Sequence, residues 1–377
     1  MGGLKYVVSA DSHIMEPFDL WTKALGDKHG GTLPQVVNEY RGEKTKFYFT
    51  GYEYIKIGDF EPVDTSDSQG GSQSLEDEML EKIDRTNKDP DLRLELMDQD
   101  GVSAEIVNPT YLLYTLRTPN KVEMVKDCCT VYNDYIADYV STNPTRMLGT
   151  SMIDMEDIDW AVSELERTRK RNLRTVIINT DVRDGMLPYR DKAYDRFWAA
   201  AQDLEVPVTL HIITGNVRDP FTLFGEERRN TARDGLNICS EALPVLLNEF
   251  IMGEIMDRFP KLKLVLSEYE VSWLPYFMFR GKQMIEAFGP ALSLPKIKSS
   301  IEDYMGRVYH GFIDDTWVDH AIEAVDHRTL MWGSDFPHPD GVWPDSKEFI
   351  KQELSGVSDA TRQKIICGNA AALYGFE

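Results

Sequence analysis

No run of apolar residues in this chain reaches the roughly 18 that a membrane-crossing helix needs, so a spanning protein is not expected. Basic residues are few against acidic ones: 41 Lys and Arg stand beside 63 Asp and Glu, a formal charge of −22. Sequence-independent binding to nucleic acid or to an anionic lipid surface needs concentrated Lys and Arg, so neither is expected as a partner. Cysteine is sparse too. Cys128, Cys129, Cys239 and Cys367 show neither C-x-x-C spacing nor the pattern of a secreted disulfide framework, and they read as reduced, mostly buried thiols. The opening MGGLKYVVSAD lacks the apolar stretch of a signal peptide and the Ser or Thr of a myristoylation motif. A cytoplasmic location is the expectation.

What is present suits a large globular core. Hydrophobic residues make up 42% and charged residues 28% of the 377, which argues against general disorder. Eight short apolar runs recur: YVVSAD (6–11), AEIVNPT (104–110), RMLGTSMID (146–154), TVIINT (175–180), VPVTLHIIT (206–214), LKLVLSEYE (262–270), RVYHGFI (307–313) and TLMWGSDFPH (329–338). Stretches of helical character separate them. The stretch 121–141 spaces its apolar residues by three and four, and 155–171 opens with acids and closes with bases, as the helix dipole prefers. Residues 194–205 and 245–260 behave likewise, the latter stopping at Pro260. Eight such alternations predict an α/β fold, a distorted TIM-type (β/α)8 barrel in a single domain over 1–377.

Two stretches break the repeat. Residues 28–90 read as a hairpin and a flexible loop inserted after the first strand, with a Ser/Gly-rich segment at 65–75. Residues 215–235 read as a charged loop insertion after the fifth strand. Loops after barrel strands line the catalytic face, so both are lid candidates.

The polar residues that interrupt apolar strands do so at their C-terminal ends. Asp11 and His13 end the first, His211 the fifth, Glu268 and Glu270 the sixth, and Asp335 the eighth. Active sites of such barrels sit at that face. Side chains at i and i+2 of a strand point the same way, so Asp11 and His13 can grip one ion together. Imidazole and carboxylate donors of this mix suit a divalent first-row metal. Glu16, followed by Pro17, reads instead as holding its loop by accepting backbone hydrogen bonds. His29, His320 and His327 lie in charged or helical context and carry no assigned chemistry.

ADSHIMEP at the first strand, TLHIITG at the fifth, FPKLKLVLSEYEVSWLPYF around the sixth, WGSDFPHPDG at the eighth and the tail ICGNAAALYGF together resemble the amidohydrolase superfamily. The resemblance is to the amidohydrolase-related branch that contains aminocarboxymuconate-semialdehyde decarboxylase, and it covers essentially the whole chain. It implies a catalytic metal ligated by Asp11, His13, His211 and Asp335. Two departures stand out. The first-strand pair is usually H-x-H, and Asp11 takes its first place, making the site harder and favouring manganese or iron somewhat against zinc. The decarboxylases of the branch usually carry an acid/base histidine at the end of the sixth strand, where this chain has Glu268. No lysine ends the fourth strand, so one divalent metal is expected, zinc first, with manganese or iron as alternatives.

On that reading the expected activity is hydrolysis of an acyl bond (ester, thioester, lactone or amide). A divalent metal lowers the pKa of bound water toward about 7. Asp335 would move the proton, Glu268 would act as a further ligand or a base, and His310 would polarise the substrate or protonate the leaving atom. The alternative is non-hydrolytic decarboxylation of an aromatic or unsaturated acid, against which the loss of the sixth-strand imidazole counts. His338 would support the ligands from behind or touch substrate. Phe47, Tyr48, Tyr52, Tyr54, Tyr111, Tyr114, Trp273 and Tyr276 suggest a small apolar or aromatic substrate, and Arg117 or Arg280 could meet a carboxylate. WLPYF, after the sixth strand, is a candidate dimer surface, making a homo-oligomer the expected state.

Overall fold

The computed structural model describes residues 6–57, 82–183, 185–215, 242–289, 291–338 and 341–376. Eight parallel strands form one sheet in the order β1 (Val8–Ile14), β5 (Ala104–Pro109), β6 (Met147–Met152), β7 (Thr175–Ile178), β8 (Val208–His211), β9 (Leu264–Ser267), β10 (Val308–Phe312) and β11 (Leu330–Trp332). Seven fall within their apolar runs and β1 extends three residues beyond its run of 6–11, and helices connect them on the outside. The end strands β1 and β11 meet across a seam, where Asp335 N–H donates to Asp11 O at 2.9 Å and His13 N–H to Phe336 O at 2.5 Å. The sheet thereby curls into a nearly closed (β/α)8 barrel.

Parallel strands covered on both sides should be apolar throughout, and here the two sides feed different cores. Val8, Ala10, Ala104, Ile106, Leu148, Val265 and Met331 fill the lower barrel, joined by Leu373 and Tyr374 of the last helix. The other parity packs under the helices: Val107, Met147, Val176, Val208, Leu210, Leu264, Leu266, Val308, Phe312 and Trp332. Arg174, just before β7, donates to Tyr374 O at 3.1 Å, holding the chain's end against the strand N-termini.

Local signals explain some helix bounds. Helix Ile158–Lys170 starts where Asp157 accepts from Trp160 N–H, and ends in Arg167, Arg169 and Lys170. Helix Pro90–Asp100 has Asp89 as its cap, proline in its first turn and Gly101 in the left-handed region (φ 82°) after its end. The stretch 245–260 differs from the single helix its periodicity predicts. A π-helical turn, Leu246–Ile251, leads to a break before Ile255–Arg258, with Glu254 at φ 63°. A Cβ on Gly253 would lie 2.3 Å from Glu249 O, so glycine is what admits this tight turn.

After β1 a small antiparallel sheet forms from β2 (Gln35–Val37), β3 (Phe47–Phe49) and β4 (Tyr54–Lys56). Its turn docks on the segment after β5: Glu53 accepts from Arg117 Nη2 at 2.8 Å and Thr50 O from Thr118 Oγ1 at 3.2 Å. The Ser/Gly-rich 65–75 and nearly all of 215–235 lie outside the described residues. Among the described residues no helix is long and apolar enough to cross a membrane.

Candidate metal centre

Strand geometry gathers the polar residues at one mouth of the barrel. His13 pairs in register with Asn108 and His211 with Ser267, so these four look into the lumen above the apolar plug. The side chains of Asp11, His13, His211 and Glu268 bring one donor atom each to within 4.8 Å of one another; His13, Glu268, Asp335 and His338 form a second, overlapping group. Around the single nitrogen His13 Nε2 stand three carboxylates: Glu268 Oε1 at 3.0 Å, Asp11 Oδ1 at 3.3 Å and Asp335 Oδ1 at 3.6 Å. His211 Nε2 lies 3.7 Å from Asp11 and 3.8 Å from Glu268.

Both imidazoles are set with their ligand nitrogen inward. A carbonyl only accepts, so His13 Nδ1–H donates to Pro109 O at 2.7 Å and His211 Nδ1–H to Ile212 O at 3.0 Å. That fixes each Nε2 as the atom offered to the centre. Asp11 Oδ2 and His211 Nε2 are buried without a hydrogen-bond partner, and the buried Asp335 Oδ1 meets His338 Nδ1 at 2.9 Å. Orphaned buried polar atoms are costly, and here they converge. Three carboxylates and two outward-anchored imidazoles around one point fit a divalent cation. The two groups share His13 and Glu268.

The electrostatics follow from burial set against neighbours. Burial raises the Asp11 carboxyl, yet His13 and His211 hold it well below the usual range. Burial likewise raises Glu268, and His211 with His13 bring it down to about 2. The same contacts, with Asp11 and Glu268, lift His13 well above its ordinary value against the cost of burial, and lift His211. Asp335 goes the other way: burial and the Glu268 charge push it up to about 11. Burial and the His13 charge lower His338 to about 3.

The backbone is bent to make this arrangement. Ile213, Glu268, Glu270 and Asp335, beyond the ends of β8, β9 and β11, all have left-handed φ values of 52° to 79°. Such residues cost about 1–3 kcal/mol each and gather where function demands them. Gly333 allows β11 to approach β1, since a Cβ there would lie 2.7 Å from Asp11 Cβ.

Other residues fall differently. His338 joins the centre: its Nδ1 is 2.9 Å from Asp335 and 3.9 Å from Glu268, and its Nε2 is 3.1 Å from Thr110 Oγ1. Tyr111 follows Thr110, its ring between Phe18 (5.6 Å) and Tyr48 (4.9 Å). His310 does not face the lumen. It shares a face of β10 with Val308 and Phe312, and its register partners Leu266 and Leu330 lie in the outer core. Its ring meets Trp273 edge-on at 5.8 Å, and burial alone lowers it to about 3. Trp273 Nε1 is taken by the carbonyls of Tyr269 and Glu270, and Arg280 donates to Gln283 on its own helix. His310, Trp273 and Arg280 thus leave the candidate site on geometric grounds. Arg117 is held by Glu53. Glu16 accepts from the backbone N–H groups of Thr110, Tyr111 and Leu112 at 2.9 to 3.1 Å, as its sequence context suggested.

Sequence reasoning passed over Asn108. Its Nδ2 donates to Asp11 Oδ1 at 2.6 Å, and Thr150 Oγ1 in turn donates to Asn108 Oδ1 at 2.5 Å. The signal was available, since Asn108 ends an apolar strand just as His211 does.

The family model for amidohydrolases matches residues 79–376, and the chain belongs to this family. A gamma-resorcylate decarboxylase of Polaromonas sp. is 27% identical over 312 residues, covering 75% of this chain and 86% of the relative. An amidohydrolase from Mycobacterium avium subsp. paratuberculosis superposes with a TM-score of 0.79 at 18% identity, covering 100% and 99% of the two chains. A dihydroxybenzoic acid decarboxylase from Polaromonas sp., solved with bound manganese and the inhibitor 2-nitroresorcinol, gives 0.65 at 18% identity, covering 100% and 97%. The chain is therefore an enzyme-family member, but the expectation of hydrolysis is corrected: the named relatives are decarboxylases. That expectation leaned on Glu268 replacing an imidazole, and the structure brings a different imidazole, His338, to within 3.9 Å of Glu268.

Proposed function

We propose that this protein is a metal-dependent decarboxylase of a small aromatic or unsaturated carboxylic acid, using one divalent cation, manganese in first place. The observation that carries the reading is the convergence of three carboxylates on His13 Nε2, with Asp11 Oδ2 and His211 Nε2 left without partners. The decarboxylase relatives and the manganese in one structural neighbour support it. Asp11, His13, His211 and Glu268 would hold the ion, with Asp335 beside them. When bound, the ion supplies a fixed positive charge that anchors an anionic substrate and draws electron density from it.

The chain's own groups then have distinct tasks. Asn108 and Pro109 O fix Asp11 and His13 from behind. Asp335, its side chain 2% exposed, is the group placed to give a proton to the carbon that bears the carboxylate. As the C–C bond breaks, its electron pair returns to the ring or alkene and CO2 departs. His338, 2.9 Å from Asp335 and 21% exposed, orients that carboxyl and gives it a path to solvent protons. Phe18, Tyr48 and Tyr111 supply an aromatic wall behind Thr110.

The test is CO2 release by purified, Mn2+-loaded protein across a panel of hydroxybenzoic and unsaturated carboxylic acids. Release that needs Mn2+ and falls by about 10²–10⁴-fold in Asp335→Asn, the usual contribution of a positioned acid, is expected. No release from any acid of the panel would refute the reading.

A further inference from the structure

Arg93 is 0% exposed on helix Pro90–Asp100, and its guanidinium reaches the strand and loop that carry His13 and Asp335. Its Nε and Nη2 reach the two oxygens of Glu105, itself 1% exposed on β5, the second pair at 3.2 Å. Its Nη1 donates to the backbone carbonyl of His13 at 2.7 Å. Its Cζ lies 5.2 Å from the centre of the ring of Phe336, the residue after Asp335. The N–H and C=O of one strand residue point to the same side. His13 N–H bonds Phe336 O across the β1–β11 seam, so the carbonyl that Arg93 takes is on that seam too. No continuous ladder joins the two end strands. Where it is missing, a buried cation ties β1 to the β11 loop.

A buried ion pair is a poor stabiliser, because desolvation offsets most of the attraction. A structural origin is therefore a weak account of Arg93, whereas a fork of fixed donors is well suited to setting geometry. Arg183 offers a contrast within the molecule. It is 3% exposed and paired with Asp154 at 2.6 Å, but its guanidinium otherwise bonds Glu156 and the carbonyls of Leu116 and Thr118, none of them a ligand.

We infer that Arg93 and Glu105 form a positioning pair that sets His13 and the Asp335 loop at ligand distance. The inference rests on the metal-site reading above but not on the reaction assigned to it. The experiment is Mn2+ titration, read by the electron paramagnetic resonance signal of free Mn2+, on wild type, Arg93→Lys, Arg93→Met and Glu105→Gln, with Arg183→Met as control and melting temperatures alongside. Partners behind metal ligands typically contribute 10–100-fold in affinity. A weakening of about that size in Arg93→Met, with Arg93→Lys recovering part of it, is expected. Arg183→Met should lose comparable thermal stability yet keep its affinity. If Arg93→Met does not fold, Arg93→Lys and Glu105→Gln carry the test. Folded Arg93 variants with wild-type Mn2+ affinity would overturn the inference, as would an equal weakening in Arg183→Met. A wild-type chain that binds Mn2+ but releases no CO2 defeats only the decarboxylase reading, since the affinity comparison still decides the role of Arg93.

Discussion

The barrel's two ends are buried to the same degree and built on opposite principles. At the strand N-termini, Val8, Ala10, Ile106, Leu148 and Met331 are 0 to 4% exposed, and the last helix closes over them. At the C-termini, His13, Asn108, Thr150, His211 and Ser267 are 0 to 2% exposed, on the same side of the sheet and, for β1, β5 and β6, on the same strands. The lower end is the kind of interior that dispersion and water exclusion stabilise. The upper end takes desolvated charge, orphaned polar atoms and left-handed backbone, and offsets this only in part through its carboxylate–imidazole contacts. The difference teaches that stability and chemistry are separated along the barrel axis, a few residues apart on each strand.

The separation can be broken or sharpened by substitution. The largest effect is expected from His211→Ala at the upper end. Mn2+-dependent CO2 release should vanish, and with it the stabilisation of about 2.7 kcal/mol that Mn2+ at 100-fold over its Kd gives the folded protein. Urea unfolding with and without Mn2+ measures this; a variant still stabilised by Mn2+ would show that His211 is not a ligand. Next comes Leu148→Ala at the lower end of β6. It should cost about 2–5 kcal/mol while the folded protein keeps its turnover. If the kcat of folded Leu148→Ala drops as steeply as its stability, the two ends are coupled and the comparison fails.

How much of this was written in the sequence depends on what each inference needed. The eight strands were legible because strands in a covered parallel sheet are unbroken apolar runs. Asp11, His13 and His211 were legible because a polar residue in such a run is an exception that asks for a reason. His310 met the same criterion and was misplaced. Telling it from His211 needs the side it faces, and the alternation Val308, His310, Phe312 against Tyr309, Gly311 carried that information. His338 was weighed without its place, since only the folded loop after β11 turns its Nδ1 toward Asp335. Arg93 could not be found this way at all. Its helix looks ordinary, and its partners Glu105, His13 and Phe336 are drawn from three separate parts of the chain.

Glu16 sharpens the comparison at its smallest scale, because it is a buried carboxylate at the upper end that belongs with the lower in kind. It is 1% exposed, and both its oxygens are taken by the N–H groups of Thr110, Tyr111 and Leu112 at the start of helix Tyr111–Leu116. Position at the mouth of the barrel is thus not enough to make a carboxylate part of the centre; Asp11 keeps an oxygen with nothing to accept from, and Asp335 faces His13 and His338 rather than backbone N–H groups. Glu16→Gln keeps one accepting oxygen and loses the charge at a helix start, so a loss of about 1 kcal/mol in folding stability is expected. Its Mn2+ affinity should match wild type. A selective loss of affinity at unchanged stability would place Glu16 with Asp11 and Glu268, and would mean that hydrogen-bond saturation does not separate the structural carboxylates of this barrel from the ligating ones.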